Sequence, residues 1–166
     1  MKRLILLCHS KSSWSNPDLD DFDRPLNIRG KKDAPFIGEI FNAKLIKLDL
    51  IICSGSRRTL QTAELFTHKI KYSSENVIKN NLYGASALEI LDVISHLNEN
   101  INNVLLIAHN PGITNLVNLL CAEKIVNVPT SGLVGLTYNG MWKELSEKNC
   151  EMIFFEYPKK YKSKSS

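Results

Sequence analysis

Residues 104–112, Val104-Leu105-Leu106-Ile107-Ala108-His109-Asn110-Pro111-Gly112, are an unbroken apolar run that stops at a histidine. Residues 4–10, Leu4-Ile5-Leu6-Leu7-Cys8-His9-Ser10, repeat the pattern. An apolar run without polar alternation reads as a strand covered on both faces, as in parallel sheets. Its abrupt end in histidine and small polar residues brings that histidine to the rim of the sheet. Open α/β sheets bind ligands at that rim. Leu50-Ile51-Ile52-Cys53 is a third strand of this kind, and Ser54-Gly55-Ser56-Arg57-Arg58 follows it.

Between these strands lie helical patterns at about Arg29–Ala43, at Arg57–His68 with Leu60, Ala63 and Phe66 in phase, and at Ala85–Leu97 with Leu88, Leu91 and Ile94 on one stripe. Another follows Gly112, with Ile113, Leu116, Val117 and Leu120 on one face. Leu133–Tyr138 and Met152–Tyr157 read as two further strands at a sheet edge, antiparallel, with Asn139-Gly140 as a turn signal between them. The alternation predicts a three-layer αβα sandwich with a mostly parallel central sheet. The 166 residues suit a single domain over residues 1–158.

The net charge is +4, but residues 159–166 hold four lysines and no acid, and the remainder is neutral. Residues 159–166 are therefore expected to be a basic, flexible, solvated tail, and the chain to bind neither nucleic acid nor membrane. The apolar stretch at the N-terminus is too short for a signal-peptide core or a membrane span, so a cytoplasmic location is expected. Cys8, Cys53, Cys121 and Cys150 show no paired spacing and are read as free thiols. Nothing in the sequence reports an oligomeric state.

Ser54–Arg58 opens a helix. A helix start offers unsatisfied N–H groups and the positive end of the dipole, and arginines there add forked donors. Such a turn receives phosphate well. The plainer alternative is that Ser54 or Ser56 caps the helix and the arginines are solvated. Three strand ends supplying His9, Arg58 and His109 to one rim favour the phosphate site. Histidine attacks phosphorus to give a phospho-enzyme, and cationic donors stabilise the phosphoryl oxygens.

Four motifs now stand in order: Leu6-Leu7-Cys8-His9-Ser10-Lys11 through Trp14; Asp21-Phe22-Asp23-Arg24-Pro25-Leu26 through Arg29-Gly30; Cys53-Ser54 with Arg57-Arg58-Thr59, Gln61-Thr62-Ala63; and Ala108-His109-Asn110-Pro111-Gly112. Together they resemble the histidine phosphatase superfamily, and within it the SixA-type phosphohistidine phosphatases. The resemblance spans about residues 2–138. It implies a phosphoglycerate mutase-like fold and a hydrolase that needs no metal and no cofactor. It implies His9 as the nucleophile, Arg58 and His109 as catalytic groups that also bind the phosphoryl oxygens, and Arg24 as a phosphate-binding residue from the long loop. Ser10, Asn110 and Thr130 are further rim candidates. The implied substrate is phosphohistidine or another phosphorylated protein, or a small phosphate ester.

The family's first motif reads Arg-His, whereas this chain has Cys8-His9. An ordinary thiol has a pKa near 8.5 and supplies no positive charge. By analogy with loss of one oxyanion-hole donor, roughly 10²–10³-fold slower chemistry is expected than with arginine. The alternative function is therefore a catalytically impaired module that binds phosphate or phosphoprotein.

Cys8, His9, Cys53 and His109 also form a nominal zinc set, but they lack the close ligand pairs of structural sites. The aspartates Asp18, Asp20, Asp21 and Asp23 fail as a calcium loop, because Asp23 and Arg29 stand where glycine and glutamate are required. Asp23 is expected to orient Arg24 or Arg29, and Trp14 to pack over the site.

Overall fold

The computed structural model describes residues 1–162. Six strands form one sheet: β1 (Lys2–Cys8), β2 (Leu50–Cys53), β3 (Val77–Ile78), β4 (Asn103–Ala108), β5 (Leu133–Tyr138) and β6 (Glu151–Glu156). Five helices accompany them: α1 (Ile28–Asn42), α2 (Arg57–Thr67), α3 (Ala87–Ser95), α4 (Gly112–Leu120) and α5 (Pro158–Lys162). The strand order is β3-β2-β4-β1-β5-β6. Pairings from β3 through β1 are parallel, and β5 and β6 join antiparallel.

The period of two along each strand divides the core. Leu4, Leu6, Val104, Leu106 and Ala108 pack with Ile90, Ile94, Ile113 and Leu116 of α3 and α4. Ile5, Leu7, Ile51, Leu105 and Ile107 pack with Ile37 and Phe41 of α1 and Ala63 and Phe66 of α2. These two apolar layers on opposite faces are the αβα sandwich. Each buried aliphatic side chain contributes about 1.5–3 kcal/mol, so the central strands carry much of the folding free energy.

The antiparallel reading of the last strands holds, but only β6 lies at the edge; β5 sits between β1 and β6. No tight hairpin joins them. Trp142, in the connection, is fully buried and its indole N–H donates to the Ile101 carbonyl at 2.8 Å. Anchoring that ring draws the connection away from the Asn139-Gly140 turn. Strand β3 has two exposed residues, too short for a period to show.

The expected tail departs from expectation over residues 159–162. Helix α5 returns to the body: Lys160 pairs with Glu156 at 2.6 Å and Lys162 with the buried Asp33 at 3.1 Å. Those acids neutralise part of the lysine run. Residues 163–166 of the expected tail lie outside the described residues. Among the described residues no helix is long and apolar enough to cross a membrane.

The loop from Ser10 to Asn27 is pinned at its neck. Ser13 N–H donates to the Pro25 carbonyl at 2.8 Å, and Asn27 N–H to the Lys11 carbonyl at 2.9 Å. Gln61 of α2 accepts the Leu26 N–H at 2.7 Å. Asn27 caps α1 by accepting the Gly30 N–H at 2.8 Å. A Cβ on Gly30 would lie 2.2 Å from the Lys11 carbonyl oxygen, so the helix start can approach this neck only without a side chain. Within a free helix, Ala would be favoured over Gly by about 1 kcal/mol. Gly30→Ala is instead expected to destabilise the protein by about 1–3 kcal/mol, as overpacking does. Urea denaturation measures this directly; a gain in stability would show that the neck yields freely.

Candidate phosphate site at the strand ends

Strands β2, β4 and β1 are consecutive in the sheet, so their carboxyl ends lie side by side. His9 follows β1, Ser54 follows β2 and His109 follows β4. The rings of His9 and His109 stand 5.2 Å apart between centroids. Arg58 enters from the first turn of α2, and Arg24 from the long loop. His109, Arg58 and Arg24 are 6%, 6% and 7% exposed, so the charged groups lie in a largely desolvated space. His9 is half-buried.

His9 Nδ1 lies 2.7 Å from the Ser10 carbonyl oxygen. A carbonyl only accepts, so Nδ1 carries the proton and Nε2 holds a free lone pair. Burial lowers the His9 pKa from 6.5 to about 4, with Arg58 and Arg24 pushing the same way. His109 falls to about 3 through burial, then His9 and Arg58. Its Nε2 is 2.9 Å from the Ser54 hydroxyl. Both rings are thus neutral at neutral pH, beside two permanent cations.

The acid that orders these cations is Asp21, which corrects the expectation for Asp23. A one-turn helix at Asp21–Asp23 sets Asp21 three residues before Arg24. Its carboxylate accepts from Arg24 Nε at 3.1 Å and from Arg58 Nη2 at 3.0 Å. The Tyr83 hydroxyl donates to it at 2.5 Å. That bond, with those from Arg58 and Arg24, lowers the Asp21 pKa to about 2. Arg29 pairs instead with Asp33 at 3.3 Å. Trp14 is 74% exposed and lies flat on Arg24, whose guanidinium carbon is 3.4 Å from the ring centroid.

Two rim candidates have their side chains committed to the fold. Ser10 is fully buried and shares a hydrogen bond with Ser131 at 2.5 Å. Asn110 donates to the Val128 carbonyl at 2.5 Å and accepts the Thr114 N–H and hydroxyl at 3.1 and 2.8 Å. These bonds fasten the segment before β5 onto the rim. Thr130 is half-buried in that segment. Ser56 stands at the N-cap of α2 but its hydroxyl bonds Thr59 at 2.8 Å and caps no N–H. Arg57 is exposed, as the solvated alternative had it, while Arg58 is buried.

Ser54, Asp21 and Tyr83 join the site although the sequence reading assigned them no role in it. Asp21 had a signal, an acid three residues before an arginine. Tyr83 had none, since it arrives from the turn after β3. The nominal zinc set does not assemble: Cys8 faces the α3 and α4 layer and Cys53 the α1 and α2 layer. Burial pushes the Cys8 thiol up to about 12, so it is neutral.

Comparison with known proteins agrees with this geometry. Residues 4–84 match the profile of the histidine phosphatase superfamily (branch 1), a span that includes His9, Arg24 and Arg58. An uncharacterised protein of Mycobacterium tuberculosis is 28% identical over 162 residues, covering 91% of this chain and 99% of its own length. The SixA protein of Agrobacterium tumefaciens superposes with a TM-score of 0.82 at 27% identity, covering 95% of this chain and 98% of that one. The fold is shared by the protein histidine phosphatase SixA complexed with tungstate, with a TM-score of 0.83, 19% identity and coverage of 95% and 98%.

The lowered histidines make stability depend on pH. Between about 6.5 and about 4 the unfolded chain binds protons at His9 and His109 that the folded chain refuses. The fold therefore loses stability as pH falls through that window. The urea midpoint should drop from pH 7 to pH 5, and drop less in a His9→Asn, His109→Asn double variant. An equal drop in the variant would assign the proton uptake to other groups.

Proposed function

This chain belongs to the histidine phosphatase superfamily and is of the SixA type; from that premise we propose a phosphatase that works through a phosphohistidine on His9. The observation that carries the reading is the hydrogen bond from His9 Nδ1 to the Ser10 carbonyl. It leaves Nε2 unprotonated and fixed in direction beside Arg58 and His109. His9 Nε2 attacks phosphorus as the bond to the leaving group breaks. Arg58 and Arg24 hold the equatorial oxygens, and His109 donates an N–H to them. Water then attacks the phosphorus, the P–N bond to His9 breaks, and inorganic phosphate departs. No step calls on a metal or a cofactor.

The substrate class we propose is a phosphorylated protein, phosphohistidine foremost. A phosphoramidate demands less of a general acid than an alkyl phosphate does. Asp21 is a poor proton donor here, because its bonds to Tyr83, Arg58 and Arg24 keep it ionised down to about 2. A cytoplasmic location and the absence of nucleic-acid or membrane partners belong to the same reading.

One observation favours the second reading, a phosphate-binding module with little turnover. The Cys8 thiol is neutral and buried, so the charge of the family arginine is missing. Rapid labelling with a small phosphoramidate separates the two. Acid-labile phosphohistidine is expected in the wild type and none in His9→Ala; label persisting in His9→Ala would remove the nucleophile assignment. Phosphate binding without label in the wild type would establish the binding module.

The arginines give a graded outcome. Arg58→Ala should slow dephosphorylation by about 10²–10³-fold, the scale of one lost oxyanion donor. Cys8→Arg should raise the rate by a similar factor if the guanidinium reaches the rim. An unchanged rate in a Cys8→Arg protein of undiminished Tm would show that the site lacks nothing at that position.

A further inference from the structure

Arg58 holds a partly satisfied guanidinium. Its Nη1 donates to the Asp21 carbonyl at 2.6 Å and its Nη2 to the Asp21 carboxylate at 3.0 Å. Its Nε is buried with no partner. A buried donor left unpaired is costly, and an acceptor brought to it recovers that cost. Arg24 gives its Nε and Nη2 to the other oxygen of the same carboxylate, at 3.1 and 3.0 Å. One carboxylate thus bridges two arginines beside His9 and His109, with one oxygen on each. A phosphoryl group recognised by those arginines needs the same donors.

Besides that grip, Asp21 is held by the Tyr83 hydroxyl, which donates to its carboxylate at 2.5 Å. It lies in the long loop, on a one-turn helix with no buried residue, and its side chain is 47% exposed. The neck of the loop is pinned at residues 11–13 and 25–27, away from Asp21. Turning the carboxylate outward gives up the Tyr83 bond as well, but leaves in place Arg58, whose body is held in α2, and Arg24, which also donates to the Ser13 carbonyl at 3.2 Å.

We propose that Asp21 is the resident counter-anion of the phosphate site: its carboxylate occupies Arg24 and Arg58 when no phosphoryl group is bound, and is displaced by one that is. The proposal rests on the phosphate reading of this site and adds a residue that sets its affinity. Without an acid, two guanidinium groups would face each other across a desolvated gap, at a cost in stability. With the acid, the arginines are preorganised and the phosphoryl group competes for them. A carboxylate has one charge and two oxygens. A phosphoryl dianion has two charges and three oxygens, enough to take both arginines and the unpaired Nε. The cost of turning Asp21 outward is subtracted from the binding of every ligand, as for any protein whose competent state is a minor one. Asp21 therefore screens out singly charged anions that cannot outbid it.

Titration calorimetry with tungstate on the full chain, in wild type, Asp21→Asn and Asp21→Ala, tests this. Both variants should bind about tenfold more tightly, corresponding to a competent state populated about one-tenth of the time in the wild type. Their Tm should be lower than wild type without anion and rise further on adding tungstate. A wild type too weak to measure beside a variant that binds supports the proposal equally. If the wild type binds and the folded variants bind equally or more weakly, Asp21 is a structural partner only, and the phosphate site stands without it. If neither wild type nor variants bind, the phosphate reading falls and the proposal with it. Lost folding alone cannot mimic the expected result, because that result is a gain.

Discussion

The parallel pairing of β1 with β4, and of β4 with β2, is the constraint on which the site depends. Cys8 pairs with Ala108, and Cys53 with Ile107, so the three strands end within a residue of one another. Strands in a sheet lie about 4.8 Å apart. Three neighbouring ends therefore hold His9, His109 and Ser54 in one small patch without any long-range adjustment. The segment that leads into the antiparallel β5 is bonded to this rim. Ser131 N–H reaches the His9 carbonyl at 3.1 Å, and its hydroxyl holds Ser10. The bonds of Ser10 and Asn110 belong to this scaffold, which fixes the backbone that aims His9.

Electrostatics follow from that placement. Two imidazoles, 5.2 Å apart and next to two arginines in a poorly hydrated space, are held in the neutral form and not as imidazolium cations. The environment that makes His9 a free base also makes the empty site costly, because the arginines repel. Asp21 relieves that repulsion. Its position between Arg24 and Arg58 also explains how a loop with no helix or strand of regular length can present an ordered charged surface: the neck is pinned by backbone hydrogen bonds and the tip by the carboxylate.

The sequence was legible wherever burial dictated it. The central strands are apolar on both faces, so their runs show plainly, and their C-terminal histidines were placed by that alone. Arg58 was legible because a helix start after a buried strand lies at the rim, although that placement does not by itself choose Arg58 over the exposed Arg57. Roles set by hydrogen bonding were not legible in this way. Only its spacing from Arg24 marks Asp21 among Asp18, Asp20 and Asp23, and its pairing with Arg58 depends on which of them a one-turn helix directs there. Ser10 and Asn110 sit beside the histidines in sequence, yet their partners Ser131 and Val128 come from far along the chain. Tyr83 depends on a two-residue edge strand that leaves no periodic trace. The tail misleads for a related reason: Lys160 and Lys162 look solvated until Glu156 and Asp33 are brought beside them by the fold.

The charge of the site can then be counted. Arg24 and Arg58 contribute two positive charges, the neutral histidines none, and Cys8 none in place of the family's arginine. With Asp21 ionised between them, the resting site holds a single net positive charge. A phosphoryl dianion arriving at that site would be matched only halfway. Once Asp21 turns outward, two positive charges meet two negative ones and the buried Nε of Arg58 gains an acceptor. The absent arginine at position 8 and the acid at position 21 are thus connected. A site with one more fixed cation would tolerate a resident carboxylate during catalysis, whereas this one reaches neutrality with a dianion only by releasing it.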